Sequence, residues 1–190
     1  MIDDAHSLGV LGPKGDGTAA HFGVIDEVDL IMGTFSKSLG SLGGFIAAED
    51  AIIDYLKHHV RTMIFTASLP PSSVASVITA LEITENEPKR REKLMENSEY
   101  MRSKLKTMGY DVGKSSTPII PIIIGKDIKT FYMWKDLLAA GVYTNPIVSP
   151  ATPPGRSLLR TSYMATHTRE QLDFCLDMFD KIGHQRRVLI

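Results

Sequence analysis

A single cysteine, Cys175, stands among the 190 residues. It excludes an internal disulfide and fits a reducing, cytoplasmic setting. Neither sign of charge is in excess: 21 Lys and Arg face 22 Asp and Glu, a formal net charge of -1. A nucleic-acid partner is therefore not expected, because no stretch concentrates enough cations to displace a counterion atmosphere. The densest basic runs, Lys89-Arg90-Arg91 and Arg186-Arg187, are short and read as solvated helix faces. No apolar run approaches the ~20 residues of a transmembrane segment. The longest, at 119–124, is interrupted by Pro121. Asp3, Asp4 and His6 occupy the place where a signal peptide would need its apolar core. Internal repeats and low-complexity segments are also lacking.

What is present is a globular composition, 43% hydrophobic and 23% charged. Short apolar runs alternate with glycine-rich turns in the first part. Residues 28–32 are expected to form a buried strand ending at Gly33, with a second at 45–48 and a third at 63–66. A helix is expected over 49–60. Another opens at Pro70-Pro71, with Val74, Ile78 and Leu81 on one face. Glu87-Pro88 marks a break. A long polar helix follows, carrying Leu94, Met101, Leu105 and Met108 and stopped by Gly109. Beyond it, 119–124 reads as a strand lying at an edge at its Pro121 end. Ile128, Phe131, Trp134 and Leu138 read as the core stripe of a helix ended by Gly141. Residues 158–162 form a strand. Thr168 and Gln171 have capping-box spacing ahead of a helix with Leu172, Cys175, Leu176, Phe179 and Ile182 on one face and Gly183 at its end. The pattern predicts an α/β chain in two parts: 1–87, a mixed sheet with helices, and 88–190, a small C-terminal α/β domain.

Three short motifs bear reactive groups: Asp3-Asp4-Ala5-His6, Thr34-Phe35-Ser36-Lys37 and Leu158-Leu159-Arg160. The first could bind a metal, but His21, His58, His59, His167 and His184 supply no further ligands at fitting spacing, so no metal is expected. The second fails as a phosphate loop. Ser36 stands where the pattern needs the glycine before lysine, and Ile31 where it needs the first glycine. Singly, each motif has an ordinary structural reading: a hydrogen-bonded Asp-His pair, a turn threonine, a surface ion pair.

Together, in order and at these spacings, the motifs resemble those of the α-oxoamine synthase family, fold-type I enzymes that use pyridoxal phosphate. The resemblance runs through the chain. It also rests on Gly12-Pro13-Lys14-Gly15-Asp16-Gly17, Gly43-Gly44, Ile64-Phe65-Thr66-Ala67-Ser68-Leu69-Pro70-Pro71 and Thr152-Pro153-Pro154-Gly155. The segment from Phe65 to Pro71, Asn145-Pro146 and 149–153 are most similar to the bacterial serine palmitoyltransferase branch.

The resemblance implies that 1–87 is the C-terminal portion of the aminotransferase-like large domain that holds the cofactor. It implies a decarboxylative condensation of an amino acid, serine foremost, with an acyl-CoA. Lys37 would carry the cofactor and serve as catalytic base, and Asp3 would pair with the pyridine nitrogen. His6 would bond the phenolic oxygen and take part in catalysis. Thr34 and Ser36 would hold the phosphate, with Thr66 or Ser68 reaching the neighbouring subunit's phosphate in a homodimer with shared active sites. Arg160 would hold the amino-acid carboxylate. Val148 stands where some relatives carry a second basic residue. 8-Amino-7-oxononanoate synthase and 2-amino-3-ketobutyrate CoA ligase chemistry stay open as alternatives, as does a non-catalytic subunit. Met1-Ile2-Asp3-Asp4 reads as the end of a strand with nothing before it. The chain is therefore expected to be a C-terminal half that lacks the phosphate-cradling helix start, and to be inactive and a poor cofactor binder alone.

Overall fold

The computed structural model describes residues 1–189. Contacts divide the chain into two compact units, Met1–Arg91 and Glu92 onward. The first contains three strands, β1 (Ile2–Asp3), β2 (Leu30–Thr34) and β3 (Gly44–Ala48), paired in that order. β1 and β2 run parallel, with Asp3 opposite Met32. β3 returns antiparallel, with Thr34 opposite Gly44. The crossover from β1 to β2 holds α1 (Thr18–Phe22) and a single 3-10 turn, Ile25–Glu27. After β3 come α2 (Asp50–His59), α3 (Arg61–Ile64) and α4 (Pro71–Asn86).

Two strand expectations change. The strand expected at 28–32 begins two residues later, because the 3-10 turn takes the preceding segment and Val28 N donates to Ile25 O at 3.3 Å. The shift is even, so no side chain changes face, but Thr34 and Gly33 now lie inside the strand. The strand expected at 63–66 is instead the end of α3. Ile64 N donates to Val60 O and Phe65 N to Arg61 O, both at 3.0 Å. A short apolar run fits either period, and here no strand lies beside it.

The division between units falls inside α5 (Pro88–Thr107). Then follow β4 (Ile119–Gly125), α6 (Asp127–Ala139), β5 (Asn145–Ile147), β6 (Ser157–Ser162) and α7 (Arg169–Gln185). The second sheet has order β4-β6-β5 and is antiparallel throughout. β4 lies at its edge, as Pro121 predicts. The hydrophobic core cluster belongs to this unit: Met101 and Leu105 from α5, Met133 and Leu137 from α6, Phe179 and Ile182 from α7, over Ile120, Ile122 and Leu159 of the sheet. The capping box at Thr168 and Gln171 forms as the spacing predicts.

Of the expected α6 stripe only Trp134 packs against the core, and it does so partly buried. Ile128, Phe131 and Leu138 are 70%, 45% and 45% exposed, while Thr130, Met133 and Leu137 are fully buried. Both faces of α6 carry apolar residues, so periodicity had two solutions and packing chose one. Gly183 does not end α7, which runs on to Gln185. The basic runs are not simply solvated either. Arg91 donates to the carbonyls of Thr84 and Pro13, and Arg186 pairs with Asp136 at 2.5 Å. Among the described residues no helix is long and apolar enough to cross a membrane.

Candidate active site

Residues on adjacent parallel strands share a face when they are in register, and side chains alternate along each strand. Asp3 is opposite Met32, so Asp3 and Thr34, two residues beyond Met32, project from the same face at the carboxyl ends of β1 and β2. Open α/β sheets bind ligands at that end.

The loop leaving β1 turns at once. Asp4 N donates to Met32 O at 2.7 Å, and the Asp4 carbonyl accepts from Ser7 N at 3.2 Å and Leu8 N at 3.1 Å. His6 lies in this turn and is exposed. Asp3 is also exposed, its carboxylate accepting from Ala5 N at 2.9 Å. Asp4, by contrast, is 1% exposed.

The loop leaving β2 closes on itself. Phe35 N donates to Gly43 O at 2.9 Å and Ser41 N to Phe35 O at 2.7 Å. The Phe35 and Phe45 rings stack at 5.8 Å. Leu39 is buried, which leaves Ser36 and Lys37 facing outward.

Two bonds join the loops. The Thr34 hydroxyl reaches the Ala5 carbonyl at 3.5 Å, the outer limit of a hydrogen bond, and the Ser38 hydroxyl donates to Leu8 O at 2.5 Å. Gly9, at φ +77°, is needed at this crossing, because a Cβ there would lie 2.8 Å from Ser38 Cβ. The structure thus brings Asp3, His6, Thr34, Ser36 and Lys37 onto two bonded loops at one end of the sheet.

Thr66 takes no part in this network. It follows α3, is exposed with Ser68, and turns its hydroxyl back to the Thr62 carbonyl. Arg160 belongs to the second unit. Ser157, Leu159 and Thr161 of β6 are buried against the core, so Arg160 projects from the opposite face, half-buried, between Pro121 and Asn145. Among the described residues, neither its guanidinium nor the Lys37 ammonium has a hydrogen bond or ion pair. A half-buried cation without an internal partner favours an anion from outside the chain. Cys175 is half-buried in α7, and burial raises its thiol above the ordinary range.

Asp4, Ser7 and Ser38 were not among the residues read from the sequence. A usable signal existed. Two consecutive acids at a strand end point to opposite sides, so the pair invites different roles, and Asp4-x-x-Ser7 has the spacing of a local side-chain bond.

Comparison with known proteins places this geometry. The model of the family "Aminotransferase class I and II" matches residues 1–179. The chain is 51% identical over 188 residues to the serine palmitoyltransferase of Sphingobacterium spiritivorum, covering 99% of this chain and 47% of that protein. It is 40% identical to the 8-amino-7-oxononanoate synthase of Thermoanaerobacter pseudethanolicus, covering 99% and 48%. Among solved structures, the Sphingomonas wittichii serine palmitoyltransferase superposes with a TM-score of 0.93 at 37% identity, over 99% of this chain and 48% of that one. An SPT solved with its PLP internal aldimine gives 0.92 at 36% identity, over 98% and 48%. The chain therefore spans about half the length of the curated relatives it matches.

Proposed function

The chain belongs to the aminotransferase class I and II family, and from that premise we propose that the protein containing it condenses serine with a long-chain acyl-CoA, releasing carbon dioxide and CoA and leaving a 3-oxo amine. The observation that carries this reading is the donor set on the two bonded loops: an amine, a carboxylate, an imidazole and two hydroxyls at the carboxyl ends of β1 and β2. Those groups fit a phosphorylated pyridine aldehyde. The amine suits the aldehyde, the acid the ring nitrogen, and the hydroxyls the phosphate.

When bound, pyridoxal phosphate supplies the electron sink for the pair left at the amino acid's α-carbon. Lys37 would hold the cofactor through its amine, and the same amine, when free, would be the base for the α-proton. Asp3 would pair with the ring nitrogen, where a carboxylate favours the protonated ring. His6 bonds the phenolic oxygen. Thr34 and Ser36 hold the phosphate, with Thr66 serving the neighbouring subunit of a homodimer. Arg160 grips the amino-acid carboxylate in a bidentate fork. Serine is favoured by the higher identity to serine palmitoyltransferases than to 8-amino-7-oxononanoate synthases.

The full-length protein should be reduced with borohydride in the presence of cofactor, mapped by peptide, and assayed with serine, glycine and alanine against short and long acyl-CoAs. A pyridoxyl group on Lys37 and turnover with serine are expected. An unlabelled Lys37 would remove the reading. Labelling with a preference for glycine or alanine would remove the serine assignment and leave the reaction type intact.

A further inference from the structure

The most enclosed ionisable group beside these loops is one the proposed chemistry does not use. Asp4 is 1% exposed. Its carboxylate accepts from the Ser7 hydroxyl and, through both oxygens, from Thr18 N at 3.1 and 3.2 Å. Gly17, just before Thr18, has φ +101°, and a Cβ there would lie 2.2 Å from Asp4 Oδ2. The glycine is thus what lets the far end of the loop close on the carboxylate. The Asp4 main chain is held as firmly, donating to Met32 O of β2 and accepting from Ser7 and Leu8. His6 sits between these anchors. The carbonyls on either side of it, Ala5 and Leu8, are the ones that accept from Thr34 and Ser38 of the Lys37 loop.

We propose that Asp4 is a positioning residue for the reaction: it fixes the turn that carries His6 and so sets that imidazole against the Lys37 loop. The turn is also held by main-chain bonds, by the Asp3 carboxylate on Ala5 N and by two hydroxyls from the other loop, but Asp4 is the buried side chain that ties it to the far end of its own loop. The proposal rests on the functional reading above. A buried carboxylate accepting three bonds from residues three and fourteen positions away orders the segment between them, and His6 lies in the first turn of that segment.

The experiment is a double-mutant cycle in the full-length protein, with Asp4→Asn, His6→Ala and the pair. Asparagine keeps the shape and one acceptor oxygen, so the fold is retained while the clasp weakens. Ser7→Ala, which leaves the carboxylate in place, serves as a milder second variant. The readouts are kcat and KM with serine, cofactor affinity by fluorescence, and the His6 ring resonances in cofactor-free protein, assigned by their loss in His6→Ala. Asp4→Asn should lower kcat roughly tenfold with KM changed less than twofold, Ser7→Ala should act in the same direction, and both should shift the His6 resonances. In the His6→Ala background, Asp4→Asn should have little further effect, because Asp4 acts through that ring. Independent, multiplying effects together with unmoved His6 resonances would overturn the proposal. Failure of the wild type to take cofactor would refute the functional reading instead, and the resonance shift would still decide whether Asp4 sets His6.

Discussion

The Ser38 hydroxyl donates to the Leu8 carbonyl at 2.5 Å, joining residues thirty apart in the chain. One partner adjoins Lys37 and the other lies two residues beyond His6. The bond is the shorter of the two ties between the loop bearing the amine and the loop bearing the imidazole, and Gly9 lets the two backbones come close enough to make it.

Ser38→Ala should therefore slow the reaction without unfolding the protein. A side-chain hydrogen bond of this kind contributes about 0.5–1.5 kcal/mol, so turnover should fall about two- to twelvefold while the thermal midpoint moves little. Steady-state kinetics and a melting curve of the same variant check both halves. Unchanged turnover would show that the two loops are aligned without this bond.

Arg160→Lys should weaken amino-acid binding and leave the cofactor in place. Arg160 is half-buried on the open face of β6, and Lys cannot reproduce a planar bidentate grip. Losing such a charged bond costs ~1.5–3 kcal/mol, or about ten- to a hundredfold in serine affinity. Spectroscopic titration of the full-length variant with serine reads this directly, and an unchanged midpoint would show that Arg160 is not the clamp.

Gly183→Ala should destabilise the second unit although alanine is the better helix former. The substitution gains about 1 kcal/mol in propensity. Its Cβ, however, would lie 2.2 Å from Tyr110 Oη, which donates to Phe179 O at 2.7 Å, and 2.9 Å from the Leu189 side chain. Overpacking and the displaced phenol outweigh the gain, for a net loss of ~1–3 kcal/mol. Urea denaturation should show it, and a midpoint equal to or above that of the wild type would contradict the packing argument.

The Asp136–Arg186 pair should add stability near neutral pH that is lost in acid. The bond from Arg186 holds the Asp136 carboxyl below its ordinary range, and the charge of Arg186 acts in the same direction. A carboxyl whose folded value is depressed adds stability above its unfolded pKa of about 4, and loses it as pH falls through the lower folded value. Asp136→Asn should thus lose less stability than the wild type between pH 5 and pH 2. Denaturation midpoints across that window give the comparison, and parallel curves would show that the pair carries no pH dependence.

The sequence by itself determined the elements whose signals are local and unambiguous. The capping box at Thr168, the stripes of α5 and α7, and the helix opening at Pro71 all stand where expected, because one period and one cap permit one answer. The ordered motifs around Lys37 also made the family legible, since several reactive residue types at fixed spacing rarely coincide by chance. The tertiary structure decided what local pattern left degenerate. α6 carries apolar residues on two faces, and only packing on the second sheet buries Met133 and Leu137 while exposing Ile128 and Leu138. Residues 63–66 suit either period; Met63 and Ile64 close α3, Phe65 and Thr66 turn out of it, and none of them joins a sheet. Of the adjacent acids, Asp3 faces out and Asp4 is buried, a choice made by the Met32 and Thr18 contacts. Gly183 looked like a terminator and is a notch for Tyr110. In each case the deciding contact comes from residues far away in the chain, which a reading of neighbouring positions does not contain.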